Sequence, residues 1–199
     1  MKKPTIAVDV DEVLSPLHEL VILHHNLTYG TMLTPYDASG KYYLHEFTGD
    51  QEAEAIAKLD SYFQTDKSYQ DGPINGSLAA LKRLSQNYKL VIVTSRQDKF
   101  AAHTRQWLET HFPKLFAEVH FTAYVTNQGV KVQKSVICQQ LGAEWLIDDN
   151  VGYVSECAAA GIHGILFGDY PWNRAKTLAD NVTRCKDWKA VLEYFDAQK

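Results

Sequence analysis

Cysteine is scarce: the 199-residue chain carries three, Cys138, Cys157 and Cys185. An odd number without metal-type spacing argues against a disulfide framework or a zinc site, and for free, packed thiols in a reducing compartment. Runs of Lys or Arg are absent and the net charge is −4, which argues against a nucleic-acid polymer or a membrane surface as partner. Any phosphate must therefore be held locally. Long apolar runs are missing too, since "MKKPTIAVDV" places two lysines before a stretch too short for a signal peptide or a membrane span. The expected location is the cytoplasm. No internal repeat, low-complexity tract or disordered linker interrupts the chain. With 45% hydrophobic residues, this length suffices for one full core and a small appendage.

Apolar segments that read as strands are "TIAV" at Thr5, "YKLVIVTS" (Tyr88 to Ser95), "EVHFT" (Glu118 to Thr122), "EWLIDD" (Glu144 to Asp149) and "HGILFG" (His163 to Gly168). Helical periodicity lies between them. "INGSLAALKRLSQN" puts Leu78, Leu81 and Leu84 on one face, "KFAAHTRQWLETHF" does the same with Trp107, Leu108 and Phe112, and "KSVICQQLG" and "VGYVSECAAAG" each close on a glycine. Such alternation predicts an α/β fold, a doubly wound parallel sheet whose ligands gather at the carboxyl ends of its strands.

The stretch from Ser15 to about Gly72 breaks the alternation. It holds two helical candidates, "PLHELVILHHNLTYG" and "DQEAEAIAKLDSYFQ", joined by an irregular segment too long for a loop in a compact domain. It reads as a small helical cap inserted after the first strand. The expected division is a catalytic core of residues 1–15 and 73–199 with a cap of residues 16–72.

Three strands end in polar residues, always at the carboxyl end: Asp9 and Asp11, then Thr94 and Ser95, then Asp148 and Asp149. Buried carboxylates cost heavily unless something positive meets them. Lys134 at the start of a helix and a hard divalent ion such as Mg²⁺ are the candidates, and a metal with a lysine makes a phosphate site. Each element alone is ordinary, a turn, a helix cap or a solvated lysine. Their joint occurrence in this order carries the functional reading.

These residues resemble the haloacid dehalogenase superfamily. Its four motifs match "IAVDVDEVL", "LVIVTS", "KSVI" and "LIDD", in order, from Asp9 to Asp149. The resemblance implies that Asp9 is a nucleophile forming an aspartyl phosphate and that Asp11 is the general acid and base. It implies that Thr94, with Ser95 beside it, and Lys134 hold the phosphoryl oxygens. Mg²⁺ would be bound by Asp9, Asp148 and the Asp11 backbone carbonyl, with Asp149 standing behind. Dehalogenases of the superfamily lack the second aspartate, so Asp11 argues for phosphoryl chemistry. The early insertion, "TS" at Thr94-Ser95, "LIDDN" and "LFGDYPWN" are most similar to the 5'(3')-deoxyribonucleotidase-like branch. That similarity implies a Mg²⁺-dependent phosphomonoesterase acting on a nucleoside monophosphate. Glu12 departs from the pattern, because characterised nucleotidases commonly carry glycine there.

The cap holds six of the eleven tyrosines, and Tyr36, Tyr42, Tyr43 or Phe47 could stack a nucleobase. Tyr43 and Phe47 are the chosen substrate-contacting candidates. His18, His24, His25 and His45 read as structural or exposed, and Trp172 as packing a turn. Alternative functions are a phosphatase of a sugar phosphate or other small metabolite, and a catalytically silent binding protein of the same fold. A signalling receiver module would place the acidic pair first, whereas here the D-x-D leads and the pair follows the lysine.

Overall fold

The structure is a computed structural model that describes residues 3–36, 41, 43–122, 132–175 and 177–198. Six strands, β1 (Thr5–Val8), β2 (Lys89–Thr94), β3 (Val119–Phe121), β4 (Ala143–Asp148), β5 (His163–Phe167) and β6 (Val182–Cys185), form one sheet in the order β3-β2-β1-β4-β5-β6. Every pairing is parallel. The winding proceeds outward from β1 through β2 and β3, then restarts on the other side at β4. β1 and β4 therefore flank the point where the winding reverses and where a crevice opens at the carboxyl ends of the strands.

Period-two alternation sorts the strand residues between the faces. Ile6, Val8, Ile92, Ile147 and Ile165 pack against α5 (Ser77–Leu84), α6 (Ala101–His111) and α9 (Trp188–Asp196), through Leu81, Trp107 and Trp188 among others. Ala7, Val91, Val93 and Leu146 face α7 (Lys134–Leu141) and α8 (Val151–Ala159), where Cys138 and Cys157 fill the interior. With both faces covered, β1 reads as a continuous apolar run. All three cysteines are buried free thiols.

β6 and α9 carry no expectation from the sequence. In β6 only Val182 and Cys185 turn inward, while Thr183 and Arg184 are exposed, so a four-residue edge strand leaves little periodic signal. The segment at "KFAAHTRQWLETHF" begins one residue earlier as a 3-10 helix at Asp98–Phe100 and continues as α6.

The helical insertion follows β1. It comprises α1 (Leu17–Tyr29), α2 (Leu44–Thr48), α3 (Glu52–Phe63) and α4 (Asp66–Gln70). α1 and α3 match the two expected helices, whereas α2 and α4 are five-residue helices inside stretches without periodicity. The chain returns where it left: Ile74 N–H donates to the Leu14 carbonyl at 2.7 Å. Val21, Tyr62 and Phe63 of the insertion form a separate apolar cluster with Phe100. Among the described residues no helix is long and apolar enough to cross a membrane.

Candidate active site

The register fixes the acidic cluster. Val8 is level with Ile147 in β4, so Asp9 and Asp148 leave their strands side by side, and Asp9 N–H donates to the Ile147 carbonyl at 2.9 Å. One carboxylate oxygen from each of Asp9, Asp148 and Asp149 lies within 4.8 Å of the others, and all three residues are buried. α7 delivers Lys134 to the same place, with Nζ 2.6 Å from Asp148 Oδ2 and 3.0 Å from Asp9 Oδ1. The second contact is an ion pair without hydrogen-bond geometry, and the buried Asp9 Oδ1 accepts no hydrogen bond among the described residues. Asp148 Oδ1 accepts the Asn150 N–H at 2.9 Å, the turn that starts α8.

The electrostatics are those of a site short of positive charge. Burial pushes the Asp9 carboxyl up to about 7, with Lys134 opposing and Asp148 and Asp11 adding to the rise. Asp148 moves the same way, again by burial against Lys134. Asp149 and Glu12 are pushed well up by burial first and neighbouring carboxylates second. Burial alone would depress the Lys134 ammonium, but Asp148 and Asp9 hold it above its usual range. Carboxylates that raise one another's pKa in a dry site gain from a further cation.

Asp11 lies apart from this cluster. Its carboxylate is clamped by Arg96, which donates from Nε at 2.9 and 3.1 Å and from Nη2 at 2.6 Å. Nη1 of the same guanidinium donates to Thr104 Oγ1 at 3.2 Å. Arg96 has no assigned role from sequence, although it directly follows the "TS" pair. A partner 85 residues from Asp11 leaves no local pattern.

A cavity of about 300 Å³ opens above the strand ends. Asp9, Asp11, Glu12, Ser95, Arg96 and Gln97 supply its polar floor, and the insertion supplies an apolar wall from Leu17, Val21, Ile22, Leu59 and Phe63. Of the "TS" pair, Ser95 lines the cavity and Thr94 does not. Thr94 is fully buried, and its hydroxyl accepts the Arg96 N–H at 3.3 Å. Of the two substrate candidates, the exposed Tyr43 is on the cavity wall. Phe47 is not among the lining residues and packs edge-on against His18. Tyr36 packs against His18, Tyr170 and Trp172, and Tyr42 lies outside the described residues.

Glu12 has a structural explanation. It adopts φ +56°, the left-handed region where glycine is unstrained. Its side chain accepts the His18 N–H at 2.7 Å, near the start of α1, whose N-cap is Pro16 without a side-chain cap. The glutamate thus caps the first helix of the insertion from the loop beneath it. His24 and His25 pair with Ser61 and Thr31 within the insertion, whereas His18 lines the cavity. Trp172 does pack its turn, but its indole N–H also donates to Asp149 Oδ2 at 2.7 Å.

A parallel sheet with carboxylates and a lysine at its switch point, and a helical insertion straight after the first strand, defines a haloacid dehalogenase-type hydrolase fold. Solved structures share it. A haloacid dehalogenase-like hydrolase from Streptococcus pneumoniae is 17% identical with a TM-score of 0.65, covering 97% of this chain and 98% of that one. A HAD hydrolase from Bacillus subtilis, solved bound to magnesium, is 12% identical with a TM-score of 0.67, covering 98% and 100%. A HAD family hydrolase from Deinococcus radiodurans, solved with bound phosphate and sodium, is 17% identical with a TM-score of 0.62, covering 98% and 96%. No curated protein matches the chain. The family model of the 5' nucleotidase, deoxy (pyrimidine), cytosolic type C proteins matches residues 3–198, and the chain belongs to that family. It is a hydrolase of the 5'-nucleotidase type.

Proposed function

We propose that the protein is a Mg²⁺-dependent phosphomonoesterase that hydrolyses nucleoside monophosphates of the 5'(3')-deoxyribonucleotide type through a phosphorylated Asp9. The observation that carries this reading is the buried triad Asp9, Asp148 and Asp149 with Lys134 against two of its members, whose Asp9 also lines the floor of a cavity with an apolar wall. The donor set fits a hard cation: carboxylate oxygens only, with the buried Asp9 Oδ1 met among the described residues by the Lys134 ammonium alone. Asp9, Asp148 and Asp149 are the side chains that would hold Mg²⁺, and family resemblance adds the Asp11 backbone carbonyl. Both Asp148 oxygens already accept a hydrogen bond, while Asp149 accepts one on Oδ2 alone. The oxygen of Asp149 without a hydrogen bond supports counting it among the proposed ligands, in place of the expected position behind them. Bound there, the metal neutralises phosphoryl oxygens.

The remaining steps belong to side chains. The Asp9 carboxylate attacks phosphorus, the ester P–O bond breaks, and Asp11, oriented by Arg96, protonates the departing oxygen. Water then attacks the phosphorus of the acyl phosphate and gives its proton to Asp11, which releases inorganic phosphate and restores Asp9. Lys134 and the Ser95 side of the "TS" pair hold the non-reacting oxygens. Residues 1–15 and 73–199 perform this chemistry, and the cap of residues 16–72 closes the leaving-group side and excludes water.

The apolar part of the wall supports a nucleoside over a sugar. Leu17, Val21, Ile22, Leu59 and Phe63 offer a planar base an apolar surface and offer a polyol no hydrogen bonds. The family's cytosolic description supports a cytoplasmic location. Phosphate release should be assayed over nucleoside and deoxynucleoside 5'- and 3'-monophosphates and sugar phosphates, with Mg²⁺ and with chelator. Turnover of the nucleotides, lost with chelator and regained with Mg²⁺, supports the reading. A preference for sugar phosphates, or metal-independent hydrolysis, contradicts it.

A further inference from the structure

Asp149 is 1% exposed and accepts a single hydrogen bond among the described residues, from Trp172. Burial and the neighbouring Asp148 both oppose its charge, so this one donor has a large share in setting where its carboxylate sits. An indole N–H is a donor only, at every pH. It fixes Oδ2 and leaves Oδ1 unbonded among the described residues.

The donor is itself held rigidly. Trp172 sits in a 3-10 turn, Pro171–Asn173, after β5. Asn173 is fully buried there: its amide donates to the Phe167 carbonyl at 2.8 Å, its Oδ1 accepts the Tyr170 N–H at 3.2 Å, and its carbonyl accepts from Arg184 at 2.9 Å. The Trp172 ring stacks on Tyr170 with centroids 4.9 Å apart and planes 6° from parallel. The Tyr170 hydroxyl donates to the Glu12 carbonyl at 2.8 Å, which ties the stack to the loop after β1. His18 and Tyr36, from the insertion, approach the same indole ring at 5.3 and 5.8 Å.

From this geometry we infer that Trp172 is a positioning residue for the metal: its indole N–H orients Asp149 so that the free oxygen faces Asp9 and Asp148. The inference rests on the proposed metal site and deepens it. Partners that orient metal-ligating carboxylates commonly change affinity about 10- to 100-fold when removed.

Trp172→Phe keeps an aromatic ring in the stack and deletes only the donor. Calorimetric titration with Mg²⁺ alone should give a Kd about 10- to 100-fold weaker than in the native protein. The accompanying loss of kcat/KM at low Mg²⁺ should be relieved as Mg²⁺ is raised. A second readout needs no substitution to fold well. The protein has four tryptophans, and Trp107, Trp145 and Trp188 donate to Asp71, Tyr194 and Val13, outside the acidic triad. In a ¹⁵N spectrum of the indole N–H groups, Mg²⁺ should move one of the four resonances far more than the others, the one missing from Trp172→Phe. An unchanged Kd in Trp172→Phe, alongside a raised one in Asp149→Asn, or an unmoved Trp172 resonance on Mg²⁺ binding, overturns the inference and leaves the metal site standing. If the native protein binds no Mg²⁺, the metal site and the inference fall together.

Discussion

The floor and the wall of the cavity are built by different rules. The floor stands on strand ends, where hydrogen-bonded register puts Asp9, which lines the cavity, beside Asp148, which does not, and helix α7 brings Lys134 against both. The wall is made of helices α1 and α3, held by side-chain packing around Val21, Tyr62 and Phe63. Backbone register leaves a catalytic group little freedom, whereas packed helices set a shape and tolerate many side chains. Chemistry should therefore fail abruptly when the floor is altered, and selectivity should drift when the wall is altered.

Lys134→Ala should be the most damaging test of that contrast. It removes the cation from between two buried carboxylates, and breaking such a pair costs about 3–5 kcal/mol. Thermal unfolding in chelator should show the loss, and added Mg²⁺ should return part of it by supplying charge. Turnover should fall for every substrate alike.

Arg96→Ala comes next. It releases Asp11 from its clamp, and misplacing a general acid costs about 10²-fold or more in rate. The loss should be large for nucleotides, whose alkoxide leaving group needs a proton, and small for p-nitrophenyl phosphate, whose leaving group does not. Equal losses for both would detach Arg96 from proton transfer.

The legibility of these parts from sequence follows the same division. Asp9, Asp148 and Lys134 could be read because each stands beside an apolar run or a helix start whose identity is plain. Arg96 could not, because nothing in "TSR" points to a carboxylate in the loop after another strand. Thr94 and Ser95 were separable only in three dimensions, where one side chain is buried and the other lines the cavity. Phe47 and Tyr43 are near neighbours, yet only Tyr43 lines the cavity, because α2 begins right after Tyr43 and carries Phe47 around to His18. The glycine-like φ at Glu12 was visible only as a departure from the family pattern.

Tyr43→Ala sharpens the wall side of the comparison. Loss of one aromatic contact to a base is worth about 1 kcal/mol, or about fivefold in kcat/KM. The drop should appear with nucleotides and be nearly absent with sugar phosphates and p-nitrophenyl phosphate. A uniform drop would make the wall merely structural.

The smallest effect concerns the seam between the two regions. His103 of α6 meets Ser68 of α4 at 2.8 Å, and burial, with Arg96 second, lowers its pKa from 6.5 to about 4. The folded protein then binds fewer protons at this site than the unfolded chain between those values. The stability His103 contributes is complete above pH 6.5 and is lost as the pH falls toward 4. The raised carboxyl pKa values at the floor act in the opposite direction, so the effect should be read as a difference. The gap in melting temperature between the native protein and His103→Gln should shift against the native protein on acidification and stay constant above pH 7.

The central claim is that the floor works by covalent chemistry at Asp9. The protein should be mixed with a nucleoside monophosphate labelled in its phosphoryl group and Mg²⁺, quenched in acid within one turnover, and digested for peptide mapping. The account predicts label on the peptide containing Asp9, sensitive to hydroxylamine and absent from Asp9→Asn, whose turnover should be lower by about 10³-fold or more. Full turnover with no labelled Asp9, or label on another residue, would contradict it.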